Sequence, residues 1–155
     1  MYLKKREKGF TLVEVMMVVV ILAVLAVIAI PKYGSSTDTA RKNSDIATAR
    51  QVKSALDRYQ VDYGIYPKAG ELTVDENGVV SSDKLIPKYI SRLDKSVTQQ
   101  RSSDKSGFGV ATITGGTYPA PTNIIMIYLS SDGSVAEVKA YDSSGTTLAQ
   151  LWASN

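Results

Sequence analysis

From Phe10 to Ile30 every position is apolar except Thr11 and Glu14, and from Val15 to Ile30 there is no polar residue. At ~1.5 Å per residue, a helix of this length reaches about 30 Å, the hydrocarbon thickness of a bilayer. The pattern then changes but does not stop. Ile46, Ala49, Val52, Leu56, Tyr59 and Tyr63 recur every three or four residues and form one apolar stripe. Asp38–Lys42, Arg41–Asp45, Lys53–Asp57 and Arg58–Asp62 stand at i,i+4, the spacing of helical ion pairs. Gly64 supplies a C-cap and Pro67 blocks continuation. One helix is therefore predicted from about Phe10 to Tyr63, roughly 80 Å long. Pro31 lies inside it, removing one backbone hydrogen bond and clashing with the preceding turn. Gly34-Ser35-Ser36 adds weak helix formers, so residues 28–36 are the expected place of a kink, a locally melted segment or a packed gentle bend.

After Pro67 the period shortens. Glu71–Asp75 and Val79–Ser81 flank Glu76-Asn77-Gly78, a small hairpin signal. Asp83–Arg92 reads as a short helix or turn interrupted by Pro87, and Ser96–Ser106 as a polar loop. Phe108–Thr114, Asn123–Leu129, Ser134–Tyr141 and Thr146–Trp152 read as four strands. Ile124–Leu129 is apolar on both faces and belongs at the centre, covered by the helix on one side. Ala136, Val138 and Ala140 alternate with Glu137 and Lys139, which predicts one wet face. Ser130–Gly133 and Asp142–Gly145 carry turn chemistry, and the expected sheet is an antiparallel meander. The fold class is α+β: a long N-terminal helix packed on a C-terminal antiparallel head.

Composition removes most chemistry. The chain has 155 residues, enough for one modest core, with no Cys and no His. Disulfides, thiolate metal sites, the Ser–His–Asp triad and nearly all zinc and haem ligation are excluded. The net charge of +3 suggests nucleic acid until it is located: Lys4, Lys5, Arg6 and Lys8 against Glu7 account for all of it. The remaining residues hold 14 basic and 14 acidic side chains (18 minus 4, and 15 minus 1), so the head has no basic excess for phosphate.

The basic cluster just before the apolar run directs residues 1–9 to the cytoplasm and everything after Ile30 outside. A secretory signal peptide has a shorter apolar run, and although Val27-Ile28-Ala29 has the look of its cleavage site, Ile30-Pro31 follows awkwardly. A plain membrane anchor leaves Glu14 unexplained, because a carboxylate at membrane depth costs roughly 2–3 kcal/mol or more. The stretch Lys8-Gly9-Phe10-Thr11-Leu12-Val13-Glu14, followed by the apolar run and Pro31, resembles the class III signal of type IV pilins and related pseudopilins. The resemblance covers about residues 4–35.

It implies that a prepilin peptidase cuts between Gly9 and Phe10 and methylates the new Phe10 amine. It also implies that Glu14 pairs with the Phe10 amine of a neighbouring subunit, that Pro31 is the family's helix proline, and that the chain assembles as a helical homopolymer. The same resemblance names the other partners as an ATPase, a platform protein, minor pilins and the cytoplasmic membrane. The implied location is that membrane before assembly and a cell-surface pilus afterwards. Motility, adhesion and DNA uptake are its downstream roles. The expected division is a leader at 1–9, a membrane and filament-core half-helix at 10–30, an amphipathic half-helix at 31–63 and a sheet head at 64–155. Many pilins staple the C-terminal loop with a disulfide; this cysteine-free head lacks that device, which is compatible with Gram-positive pilins and with competence or secretion pseudopilins.

The head offers little chemistry of its own. Asp132-Gly133 and Asp142-Ser143-Ser144-Gly145 supply oxygen atoms but no dense carboxylate loop for calcium, and read as turns. Tyr118-Pro119-Ala120-Pro121 reads as an exposed loop, and Tyr59, Tyr63 and Tyr66 as core aromatics rather than a stacking platform. No catalytic residue, metal ligand or cofactor is expected. The sequence reads as a structural subunit of a type IV pilus, or alternatively as a pseudopilin of a type II secretion or competence system.

Overall fold

The computed structural model describes residues 9–100, 102 and 104–154, with the backbone alone for residues 30–33. All of the expected leader except Gly9 lies outside the described residues. The chain divides into two compact units, Met1–Thr37 and Asp38–Asn155. One helix, α1 (Leu12–Tyr63), contributes to both.

In the first unit, every large apolar side chain from Leu12 to Ile28 is at least half exposed. By length and composition α1 is able to cross a membrane. The helical assignment runs unbroken through residues 28–36, so this stretch is not melted in this state. Just past it, the Thr37 hydroxyl donates back to Gly34 O at 2.8 Å.

In the second unit the apolar stripe meets the sheet. Ala49, Val52, Ala55, Leu56 and Tyr59 are buried with Phe108, Ile125, Ile127, Leu129, Val138 and Ala140 in one core. Tyr63, expected in that core, is 56% exposed, because the helix ends there and leaves the sheet. Its ring stacks tilted on Tyr59 instead.

The predicted ion pairs are partly rearranged. Lys53 bonds Asp57 as its spacing predicts. Arg41, however, pairs with Asp38, Lys42 with Asp142, and Asp62 with Lys88, while Arg58 donates to Tyr89 O. Apart from the i,i+3 pair of Arg41 with Asp38, tertiary partners displace the i,i+4 ones, because a helical surface pair contributes only about 0.3–0.5 kcal/mol.

The small hairpin forms as expected from β1 (Thr73–Val74) and β2 (Val80–Ser81), paired antiparallel. Its turn is pressed against the chain leading into β3 (Phe108–Ile113). Gly78 and Gly107 meet there with φ of +70° and +84°. A Cβ on Gly107 would lie 2.7 Å from Gly78 O, and one on Gly78 would lie 2.7 Å from Ser106 O. Both positions need glycine for backbone conformation and for space.

The main sheet has the order β3-β4-β5-β6, with β4 at Ile125–Ser130, β5 at Ala136–Asp142 and β6 at Ala149–Ala153. It is not a pure meander: β3 and β4 are parallel, and the other two pairs are antiparallel. The connection between Ile113 and Ile125 is too long for a tight hairpin, and it holds Gly115-Gly116 and Tyr118-Pro119-Ala120-Pro121. At about 3.3 Å per residue it can run back the full length of β3 and start β4 in the same direction. The crossover lies on the sheet face away from α1. Tyr118 packs edge-on against Tyr128, whose hydroxyl donates to Pro119 O at 3.2 Å. The expected wet face is consequently covered: the Glu137 and Lys139 side chains are only 15% and 14% exposed. Tyr128 and Tyr141 share a hydroxyl contact of 3.1 Å on that face.

The boundary between the units gives a direct expectation. A chain beginning at Thr37 should be soluble and monomeric and should unfold in one cooperative step, because the core lies entirely in the second unit. Size-exclusion chromatography and thermal denaturation check this. Aggregation without a transition would show that residues before Thr37 are needed for the head to fold.

Candidate functional site

The strongest chemical signal is at the start of α1. Gly9 and Phe10 stand outside the helix, and Phe10 is 87% exposed. A Cβ placed on Gly9 would meet nothing within 4 Å. The Gly9–Phe10 peptide bond is therefore not tied into helical hydrogen bonding.

The helix begins immediately afterwards. Thr11 O accepts the first intrahelical bond, from Val15 N at 3.3 Å, which makes Thr11 the N-cap. The Thr11 hydroxyl accepts from Glu14 N at 3.3 Å. In return Thr11 N and the Thr11 hydroxyl both donate to Glu14 Oε2, each at 2.8 Å. This is a reciprocal capping box. It satisfies two N–H groups at the helix end and holds the only acidic side chain of the apolar segment in a fixed place. Both bonds fall on Oε2, and Oε1 carries none among the described residues.

Phe10 and Glu14 are the site residues expected from the sequence; the role of Thr11 emerges with the fold. The signal was present: a Thr followed three residues later by Glu, directly before an apolar run. Pro31 lies within α1, with its side chain outside the described residues.

The head holds no comparable constellation. Among the described residues no group of three acidic side chains is placed to hold a metal ion. The two calcium candidates are committed to turns. Asp132 Oδ1 accepts from Ser134 N and its hydroxyl at 3.0 and 2.7 Å. Asp142 Oδ1 accepts from Ser144 N at 2.9 Å while Oδ2 binds Lys42 at 2.7 Å.

A second feature was not anticipated. Asp45, read from its spacing as a surface partner of Arg41, is fully buried. Its two oxygens accept from Gln99 N at 2.6 Å and Gln100 N at 3.1 Å. The Gln100 side chain continues the network, donating to Tyr141 O at 2.8 Å and accepting from Ser143 N at 3.0 Å. The loop before β3 and the turn after β5 are thus tied to one helical carboxylate.

Comparison with known proteins bears on the N-terminal site. A family model described as the prokaryotic N-terminal methylation motif matches residues 4–30. The chain is 37% identical over 87 residues to the type IV major pilin protein PilE of Neisseria gonorrhoeae, covering 56% of this chain and 50% of the relative. It is 35% identical over 88 residues to a fimbrial protein of Neisseria meningitidis, covering 57% and 49%. It is also 38% identical over 64 residues to a type II secretion system core protein G of Pseudomonas aeruginosa, covering 41% and 45%. The chain spans about half the length of the curated relatives it matches. No solved structure matches it. These findings support the type IV pilin and pseudopilin family, whose members are structural proteins and not enzymes. The relatives include both type IV pilins and type II secretion system core proteins.

Proposed function

We propose that this chain is the structural subunit of a type IV pilus, assembled through α1 after removal of residues 1–9. The observation that carries the reading is a capped helix start with a single carboxylate at the head of an apolar segment whose large side chains from Leu12 to Ile28 are all at least half exposed. Such a segment has no cover of its own. Lipid covers it before assembly, and other copies of the same segment cover it afterwards.

The chemistry follows from the cap. Cleavage between Gly9 and Phe10 leaves a cationic amine at Phe10. Glu14 stands four residues further on, about one helical turn deeper. In the free subunit the Thr11 bonds keep its carboxylate from being bare in an apolar medium. Oε1 remains open to the Phe10 amine of a neighbouring subunit, so pairing need not break the cap. A buried charge strongly favours an opposite charge, and the pair would set axial register between copies. The prepilin peptidase, the assembly ATPase and the platform protein are the partners this route requires. The second reading, a pseudopilin of a type II secretion or competence filament, draws on the likeness to core protein G.

The test of processing is mass spectrometry of the mature protein. Its first residue is expected to be Phe10 with a methylated amine. An N-terminus at Ile30, or an intact Met1 in assembled filaments, would overturn the route. Electron microscopy of sheared surface filaments, with identification of their main band, separates pilus from pseudopilus.

A further inference from the structure

The turn of the small hairpin carries chemistry of its own. Asn77-Gly78 is the single Asn-Gly pair of the chain. An asparagine side chain presents its amide carbon to the backbone nitrogen of the next residue. The five-membered ring that joins them closes most readily when that next residue has no side chain in the way. Asp75, Glu76 and Asn77 are all exposed, so water reaches the amide directly.

Asn43 and Asn123 are placed differently. Asn43 precedes Ser44 within α1, which holds both residues in helical conformation. Asn123 precedes Ile124, which is fully buried, branched at Cβ and donates its N–H to Lys105 O at 2.8 Å. The Asn123 amide is itself spent on Ser106 O at 3.1 Å.

Asp75 holds the attacking nitrogen back. Its Oδ1 accepts from Asn77 N at 2.9 Å and from Val79 N at 2.8 Å, and its backbone O accepts from Gly78 N at 3.0 Å. With its N–H directed at Asp75 O, the Gly78 nitrogen cannot swing onto Asn77 Cγ until the turn opens. The turn joins strands of only two residues each, so its opening costs far less than unfolding of the core.

We propose that Asn77 is a self-modification site, converting to isoaspartate and aspartate at a pace that Asp75 sets. When the turn opens, a base in solution takes the Gly78 N–H proton and the nitrogen attacks Asn77 Cγ. The N–Cγ bond forms, the bond from Cγ to the amide nitrogen breaks, and ammonia leaves with a proton returned from solvent. Water then opens the cyclic imide. Opening at Cγ gives aspartate. Opening at the main-chain carbonyl gives isoaspartate, whose main chain runs through the side chain and is one carbon longer. One amide and one water are consumed, one acid and one ammonia are produced, and nothing is oxidised or reduced.

The longer main chain has no room at this point of the fold. Gly78 O accepts from Phe108 N at 3.0 Å, and a Cβ on Gly78 would already lie 2.7 Å from Ser106 O. Isoaspartate at 77 therefore unclasps the hairpin from the entry to β3. It also sets a third carboxylate beside Asp75 and Glu76. This chemistry belongs to the head and holds whether or not the chain enters a filament.

The test is peptide mass spectrometry of the full chain in detergent, sampled over weeks at neutral and mildly alkaline pH, with fragmentation that tells isoaspartate from aspartate. Conversion is expected at Asn77 and not at Asn43 or Asn123, and faster at the higher pH because the attacking nitrogen must lose its proton. Asp75→Ala should speed it about tenfold, since the turn loses two hydrogen bonds to a carboxylate. Asp75→Asn keeps an oxygen acceptor and should fall between. Asn77→Gln places the amide one carbon too far for the five-membered ring, stays unconverted and serves as the control. In hydrogen exchange the converted chain should lose protection at Phe108 N–H, while Asn77→Gln aged alike should keep it. Absence of conversion at Asn77, conversion at Asn43 or Asn123 as fast as at Asn77, a rate that Asp75→Ala leaves unchanged, or undiminished Phe108 protection after conversion would each overturn the assignment.

Discussion

Glu14→Ala is expected to leave processed subunit in the membrane and few or no filaments. The substitution removes the only acidic group in the apolar segment. Insertion of the single subunit should not suffer, because a carboxylate at membrane depth costs roughly 2–3 kcal/mol and its loss removes that penalty. Cleavage should persist, since Gly9 and Phe10 are untouched and lie outside the helix. Assembly should fail, because an incoming Phe10 amine finds no counter-charge in a medium that strongly penalises an unpaired ion. Glu14→Asp keeps the charge with one methylene less reach and should be partly active. Immunoblots of sheared filaments and of membranes report both pools.

Thr11→Val tells two roles of the same carboxylate apart. Glu14 caps its own helix through Thr11, and it is also proposed to receive a neighbour's amine. The Thr11→Val variant removes the hydroxyl and keeps both the backbone N–H and Glu14. The capping loss is about 1 kcal/mol at the end of a 52-residue helix, so filaments should still form. Parallel loss of filaments in Thr11→Val and Glu14→Ala would mean that capping, not pairing, is what assembly needs. A normal filament yield from Glu14→Ala would refute the pairing role altogether and leave a carboxylate that merely reaches toward the headgroups.

Legibility in the sequence follows the range of the interactions. The N-terminal segment is set by composition over consecutive residues, and it reads directly from Phe10 to Ile30. The stripe from Ile46 to Tyr59 reads equally well, because burial on one helix face imposes its period. Strand positions in the head are recovered to within a few residues for the same reason. The parallel pairing of β3 with β4 is not, since direction depends on the path of the crossover and not on the strand residues themselves. That path in turn hides Glu137 and Lys139, whose alternation with apolar neighbours otherwise describes a solvated face. Asp45 was illegible for a related reason. A carboxylate at i+4 from Arg41 looks like half of a surface pair, and only the fold brings Gln99 and Gln100 to it from more than fifty positions away.

Asp45→Ala is the substitution expected to damage the head most. Asp45 is fully buried and accepts from two backbone N–H groups of one loop. Alanine leaves both donors without a partner and opens space beside them. The Gln100 donor is buried and the Gln99 donor partly so; a buried donor left unsatisfied costs about 1–3 kcal/mol, so the two together cost at most about 2–6 kcal/mol. That is a large share of the roughly 5–15 kcal/mol that holds a domain together. The damage should spread, because Gln100 carries the next two bonds, to Tyr141 O and Ser143 N, and moves with its loop. Asp45→Asn has the same shape but keeps one acceptor and turns an NH₂ toward a donor, so it should fall between wild type and alanine. Asp38→Ala provides the comparison: Asp38 is 65% exposed and, among the described residues, its ion pair is with Arg41, a contact worth at most about 1 kcal/mol. Urea denaturation of the chain beginning at Thr37 measures all three. A loss for Asp45→Ala no larger than that for Asp38→Ala would mean that water enters and satisfies Gln99 and Gln100, and that the buried carboxylate does not hold the loop to the helix.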